Sequence, residues 1–156
     1  MHVGFEVFCL RLLISVENPS VNYQCLKDIF KIFANPGEYF EIHCWKNEND
    51  EIQMASQFGE IACFDIPSIK IIHGIVNERF LSFILNEEMS CETKFYNKIV
   101  PFYTVHIGDH FSFEDYGTRI ILNTKSNQQK NQVEKLLESV NATVKHTSKQ
   151  EIWRIL

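Results

Sequence analysis

The chain has 156 residues, of which 45% are hydrophobic, and this is enough to fill one globular core. Its formal net charge of −5 disfavours general nucleic-acid binding and favours a basic partner. The sequence shows neither a basic leader nor an apolar span of membrane length, which favours a cytoplasmic protein without a membrane partner. We therefore expect a single globular domain over residues 1–156.

The first strongly patterned stretch is an apolar run followed by an amphipathic segment. Residues 3–16 are nearly continuous in hydrophobic side chains, which predicts a strand buried on both faces, although a buried helix has the same pattern. Asn18-Pro19 then supplies a cap and a proline for the first helical position. Asn35-Pro36-Gly37 stops the helix, because proline cannot continue it. The sequence predicts a helix over about 19–34.

Residues 39–46 alternate as in a half-buried strand. One face carries Phe40, Ile42 and Cys44, and the other carries Tyr39, Glu41, His43 and Trp45. Residues 47–50 predict a turn, and residues 51–57 predict a strand that returns beside the first. This interpretation makes Asn47–Glu51 the tip of an acidic hairpin. After Gly59, residues 61–66 predict another short strand.

Residues 67–86 fit two patterns. Their apolar side chains match a helical stripe, but they also match two strands around Asn77-Glu78. The density of β-branched residues and the presence of Gly74 favour the two strands, since such residues lose rotamer freedom in a helix.

The remaining elements follow a strand-rich order. Residues 86–94 predict a polar loop, and residues 98–107 a strand that Pro101 places at an edge or a bulge. Next come a turn-rich segment at 108–117 and a strand at 118–123. They are followed by a helix capped by Thr124 or Ser126 and by terminal strands at 142–146 and 152–155. This order predicts an α+β fold with a mixed, mainly antiparallel sheet. Two principal helices, about 19–34 and 126–140, pack on one face of it.

The cysteines do not resemble a disulfide or metal framework. There are five, Cys9, Cys25, Cys44, Cys63 and Cys91, none of them in a Cys-x-x-Cys pair. An odd number of scattered thiols within apolar runs predicts buried, reduced side chains.

The most metal-like cluster is His106, Asp109 and His110, which offers two imidazoles and a carboxylate. Its spacing matches no helical zinc motif, and Gly108 disfavours a helix that would bring both imidazoles to one face. His43 and Cys44 are adjacent, but successive side chains of a strand point to opposite faces. Nucleotide-binding glycine motifs and nucleophile elbows are absent from the sequence, so we predict no catalytic residue, metal or cofactor. A metal-dependent enzyme using the His106 cluster is the alternative.

The charge is unevenly distributed. Residues 38–60 hold six carboxylates against one lysine, whereas the chain from Lys125 onward is net basic. Trp45 near Glu48, Asp50 and Glu51 predicts an aromatic anchor rimmed by carboxylates, suited to a basic protein surface. Glu87 and Glu88 predict a second acidic patch. A solvated turn with the tryptophan packed inward explains the same residues without any partner.

Size, acidity and the lack of catalytic motifs are typical of bacterial immunity and antitoxin proteins, which occlude a basic toxin such as a nuclease. No motif identifies such a family. The sequence therefore predicts a non-catalytic protein-binding module of that type with an acidic surface. A homo-oligomeric regulatory module that pairs through the strand around Pro101 is a further alternative.

Overall fold

The structure, a computed structural model, describes residues 8–14, 19–64, 66–86, 98–124, 126–138 and 142–147. These residues form eight strands and four helices. In chain order they are β1 Phe8–Ile14, α1 Pro19–Phe33, β2 Tyr39–Trp45, α2 Asn49–Ala55, β3 Glu60–Ile61, β4 Ile69–Ile75, α3 Glu78–Asn86, β5 Thr104–Ile107, β6 Phe111–Glu114, β7 Arg119–Thr124, α4 Asn127–Glu138 and β8 Ala142–Thr147.

The strands form one sheet in the order β3-β4-β2-β5-β6-β7-β1-β8. Every pairing between these strands is antiparallel. The predicted α+β architecture is confirmed, and so are the two principal helices, α1 and α4.

The helices lie on one side of the sheet because of how they connect the strands. The units β1-α1-β2, β4-α3-β5 and β7-α4-β8 each join two strands that run in the same direction. A right-handed crossover in each unit places all three helices on the same side. In agreement, α1 packs against both α3 and α4. We call this side of the sheet the helix face and the other side the open face.

The core lies between the helix face and the helices. Phe40 stacks on Phe80 of α3 with ring centroids 4.4 Å apart, and Phe30 of α1 meets Phe111 of β6 at 5.6 Å. The largest fully buried side chains of the described residues include Leu26, Ile29, Phe30, Phe33, Phe40, Ile42, Ile72, Phe80, Phe102 and Phe113. The aromatic residues therefore serve mainly to fill the core.

The end of α1 and the start of α4 lie where the sequence predicted them. The Ala34 amide donates to the Phe30 carbonyl, and Gly37 follows with a φ of +91°, which glycine adopts without strain. At the start of α4, Ser126 Oγ accepts a hydrogen bond from the Gln129 amide at 3.3 Å.

The second strand predicted within residues 67–86 is wrong. Residues 69–75 form β4 as predicted, but residues 78–86 form α3. The Asn77 side chain caps that helix by accepting a hydrogen bond from the Phe80 amide at 2.9 Å. Phe80, Phe83 and Ile84 then lie buried at helical spacing, and this packing outweighs their weak helix propensity.

The strand predicted at residues 51–57 is also wrong, because α2 begins at Asn49. The Ile52 amide donates to the Glu48 carbonyl at 3.0 Å, which closes the first turn. Asp50 and Glu51 occupy that turn, where negative charges interact favourably with the helix dipole. The acidic hairpin tip predicted at residues 47–51 does not form.

Three further differences concern short strands. β3 has only two residues instead of the predicted 61–66, and the turn-rich segment 108–117 contains β6. Pro101 precedes β5, which lies inside the sheet between β2 and β6, so the strand near Pro101 is not an edge. The sheet order places β3 and β8 at its edges. The predicted strand at 152–155 and most of the predicted loop at 86–94 lie outside the described residues.

None of the described helices combines the length and apolar character needed to cross a bilayer.

Candidate functional site

Trp45 belongs to an aromatic cluster at one end of the sheet. Its ring centroid lies 4.8 Å from that of Tyr103, which in turn lies 5.5 Å from that of Tyr116. The Trp45 side chain is partly buried. The indole is therefore packed against neighbouring rings instead of standing alone on the surface.

Glu48 is turned into the same cluster. Its Oε1 lies 2.9 Å from Lys98 Nζ and accepts a 2.6 Å hydrogen bond from the Tyr116 hydroxyl. Its Oε2 accepts a hydrogen bond from the Trp45 amide at 3.0 Å. The Glu48 and Lys98 side chains are only 12% and 9% exposed, so this pair is largely removed from solvent. Burial, reinforced by the Glu48 carboxylate, raises the pKa of Tyr116, which keeps its hydroxyl a donor.

The other residues predicted to contact a partner differ in exposure. Asp50 is exposed and Glu51 is partly buried, both in the first turn of α2. Glu87 and Glu88 lie outside the described residues, so their acidic patch stays a prediction.

The structure separates His106 from Asp109 and His110, although Asp109 Oδ1 lies 3.8 Å from His110 Nδ1. His106 lies on the open face opposite Glu41. His110 Nε2 donates to the Phe33 carbonyl oxygen at 2.8 Å beside α1, and the Asp109 side chain is fully exposed. Across the described ranges, no three His, Cys, Asp or Glu side chains are positioned to hold a metal ion. The metal alternative loses its geometric basis at these residues.

The open face holds a polar cluster that sequence patterns did not indicate. Glu41 Oε2 lies 3.1 Å from His43 Nε2, and Glu41 Oε1 accepts a 3.2 Å hydrogen bond from the Tyr39 hydroxyl. The His43 and His106 rings are 5.1 Å apart. Burial, followed by the charge of protonated His43, lowers the pKa of His106, which favours its neutral form. Alternation along β2 already placed Tyr39, Glu41 and His43 on one face. The register of β2 against β5 adds His106 to them, and no motif encodes that register.

His43 and Cys44 point to opposite faces, as predicted. His43 belongs to the open-face cluster, whereas Cys44 is fully buried on the helix face. The two side chains cannot act as a nucleophile and its base.

A second feature that the sequence did not indicate is the exposure of large hydrophobic side chains at one side of the sheet. Among the described residues they are Tyr39 at 45%, Ile61 at 48%, Phe64 at 61%, Ile66 at 39% and Ile75 at 54%. All five lie on β2, β3, β4 or the loop between β3 and β4. The sequence predicted only a short strand at residues 61–66, because hydrophobicity alone does not distinguish a core strand from an exposed edge.

The loop that carries Phe64 and Ile66 lies close to the start of α2. Ile66 forms a β-bridge with Ile69, which is opposite Trp45 in the sheet. The Lys46 amide also donates to the Ser68 carbonyl at 2.9 Å. These contacts bring the loop toward the turn that precedes Asp50 and Glu51.

We call Ile61, Phe64 and Ile66, together with Asp50 and Glu51 in the first turn of α2 and Glu60 on β3, the edge surface. None of these three carboxylates forms an ion pair with a described residue. The edge surface combines apolar side chains with carboxylates that have no ion-pair partner in the part of the chain that the structure describes.

Comparisons with protein-family models, curated proteins and solved structures gave no significant match.

Proposed function

We propose that this chain is a non-catalytic protein-binding module whose edge surface docks a basic protein. This is the interaction by which an immunity or antitoxin protein neutralises a basic toxin domain. The observation that carries the proposal is the 61% exposure of Phe64 between two other exposed hydrophobic residues, Ile61 and Ile66. Exposed large hydrophobic side chains that lie close together in the chain are a common feature of interaction sites.

The apolar part of the edge surface would supply affinity. Complete burial of a Phe or Ile side chain contributes roughly 1.5–3 kcal/mol, and binding energy concentrates in a few such anchors. Phe64 has the largest exposed fraction among the exposed hydrophobic side chains of the described residues, so it is the expected anchor. It takes the role that the sequence assigned to Trp45, whose ring packs on Tyr103.

The carboxylates would supply partner selection. Asp50, Glu51 and Glu60 place negative charge near the apolar residues, in a chain whose net charge is −5. Such a field accelerates encounter with a cationic surface and repels acidic proteins. It also disfavours a symmetric dimer through this surface, because an isologous contact places the same carboxylates opposite each other.

The test is a quantitative pull-down from cells that express the protein, with the bound proteins identified by mass spectrometry. Two variants are compared with the wild type: Phe64→Ala, and the triple change Asp50→Lys, Glu51→Lys and Glu60→Lys. Glu134→Lys with Glu138→Lys on α4 is the control, since it also introduces lysines on the surface.

We expect a stoichiometric basic partner whose affinity falls by roughly tenfold or more in both edge-surface variants but not in the α4 control. Raising the salt concentration should slow its association with the wild type. A stoichiometric partner that is acidic, or one retained equally by all variants, would contradict the proposal.

A further inference from the structure

The outer edge of β3 has backbone hydrogen-bonding groups that no described strand pairs with. The Ala62 amide donates to the Ile71 carbonyl at 2.8 Å, so the backbone hydrogen-bonding groups of Ala62 point toward β4. In an antiparallel pair, the backbone groups of successive residues point to opposite sides. The amide and carbonyl of Ile61 therefore point away from β4, and no described strand lies beyond β3.

The side chains beside this edge differ between the two faces of the sheet. Glu60 pairs with His73, whose side chain belongs to the open face, and Ile61 pairs with buried Ile72 on the helix face. A strand added outside β3 would place one set of alternate side chains beside the Glu60 carboxylate. The other set would lie beside the exposed Ile61 side chain.

We propose that an extended, basic segment of the partner adds a strand to the outer edge of β3, with basic and apolar side chains alternating along it. This inference rests on the proposed function and specifies how the partner engages the edge surface. The basic side chains pair with Glu60, the apolar side chains cover Ile61, and Phe64 anchors the end of the segment.

The length of β3 determines how the binding energy is divided. Short edge strands limit accidental pairing, and β3 has only two residues. Its outward backbone groups belong to Ile61 alone, so they fix the register while the side chains supply most of the affinity and the selectivity.

The probe is a short, soluble peptide of alternating Lys and Val, with a Glu–Val peptide of the same length as the charge control. Binding to the isotopically labelled protein is followed by NMR, and exchange of the Ile61 amide hydrogen is measured with and without peptide. We expect saturable binding of the Lys–Val peptide alone, with slower exchange at Ile61 in the complex.

Two variants at position 61 separate backbone pairing from side-chain contact. Ile61→Pro removes the outward amide and leaves the Ala62–Ile71 hydrogen bond in place, whereas Ile61→Ala retains the amide and removes most of the side chain. We expect Ile61→Pro to weaken peptide binding by roughly tenfold or more, and Ile61→Ala to weaken it less. If the proline variant does not fold, hydrogen exchange at Ile61 in the wild type still reports whether the backbone of Ile61 pairs with the peptide.

The strand-addition proposal is overturned if Ile61 exchange is unchanged at saturating peptide, or if a folded Ile61→Pro variant binds as the wild type does. Absence of Lys–Val binding at concentrations on the order of 1 mM also overturns it. Loss of the cellular partner in the Phe64 and carboxylate variants, with retention by Ile61→Pro, would keep the proposed function and reject only strand addition. Retention by every variant rejects both.

Discussion

The Tyr116 hydroxyl donates a 2.6 Å hydrogen bond to the Glu48 carboxylate, although 68 positions separate the two residues in the chain. The same oxygen of Glu48 binds Lys98, whose ammonium group lies 4.1 Å from the centre of the Tyr116 ring. Glu48 thus joins the turn before α2 to the segment before β5 and the turn between β6 and β7. Its charge is used within the protein.

Replacement of Glu48 should therefore affect stability far more than replacement of an exposed carboxylate. Glu48→Ala leaves Lys98 and the Tyr116 hydroxyl without their partner in a site that is largely buried, so we expect a loss of about 3 kcal/mol in the free energy of unfolding. Asp50→Ala should cost about 1 kcal/mol or less, from its favourable position in the first turn of α2. Urea denaturation measures both, and equal losses would show that the Glu48 contacts contribute little.

The free energy of unfolding should decrease at alkaline pH. Burial raises the pKa of Cys25 to about 11 and that of Cys44 to about 12, from an ordinary value of 9.0. The folded state therefore holds these protons more tightly than the unfolded state, and it is stabilised fully below pH 9. That stabilisation is lost as the pH rises from 9 through 11 to 12. Urea midpoints measured across this range should decrease, and constant midpoints would contradict the expectation.

The same thiols should resist alkylation while the protein is folded. At about pH 8, iodoacetamide should modify Cys63, which is exposed, before Cys25 and Cys44, which are buried. Peptide mapping by mass spectrometry after brief treatment distinguishes the sites, and addition of denaturant should abolish the difference. Equal modification of Cys25 and Cys63 in the folded protein would show that α1 opens readily.

His106 should titrate below the ordinary histidine value of 6.5, because burial lowers its pKa most and protonated His43 lowers it further. Removal of that positive charge in His43→Ala should raise the pKa of His106, whereas Glu41→Gln should lower it by removing a favourable negative charge. NMR titration of the imidazole protons measures both shifts. Shifts in the opposite directions would show that the open-face cluster is arranged differently.

The lowered pKa of His106 also has a consequence for stability. The unfolded state binds this proton more tightly, so the stabilisation by neutral His106 is complete above pH 6.5 and decreases as the pH falls below it. Replacement of His106 by Gln should reduce this part of the acid dependence of the urea midpoint. An unchanged profile would assign the dependence to other groups.

Gly59 and Gly37 should respond differently to substitution by alanine. A Cβ at Gly59 would lie 2.3 Å from the His73 carbonyl oxygen, so Gly59→Ala should force β3 away from β4 at a cost of about 2 kcal/mol. A Cβ at Gly37 would meet no atom within 4 Å, and Gly37→Ala should cost only about 1 kcal/mol, from its positive φ. Hydrogen exchange at Ala62 should increase in the first variant alone. Unchanged exchange there would show that β3 tolerates the shift.

Local sequence signals predicted the elements with clear caps or clear alternation. Pro19, the Pro36-Gly37 stop and Ser126 marked the two principal helices, and the alternation of Phe40 and Ile42 assigned the faces of β2. These features depend on neighbours within one or two turns of the chain. Such neighbours are visible in a sequence.

The elements that were predicted wrongly depend on packing between residues that are far apart in the sequence. Residues 78–86 have strand-like composition but become helical because Phe80 and Phe83 pack against Phe40, Phe58 and Phe102. Glu48 was expected at a surface, since Lys98 and Tyr116 are remote in sequence. The exposure of Phe64 follows from the position of β3 at the edge of the sheet, which strand patterns do not reveal.

The first strand of the sheet lies between the last two, since β1 pairs with β7 on one side and β8 on the other. During synthesis on a ribosome, β1 must therefore wait until residues 119–147 have left the exit tunnel before its ladders can close. Contacts of such long sequence separation slow folding and lengthen the time for which the apolar β1 segment stays unpaired. Chaperone dependence of newly made chains should accordingly depend on the hydrophobicity of β1.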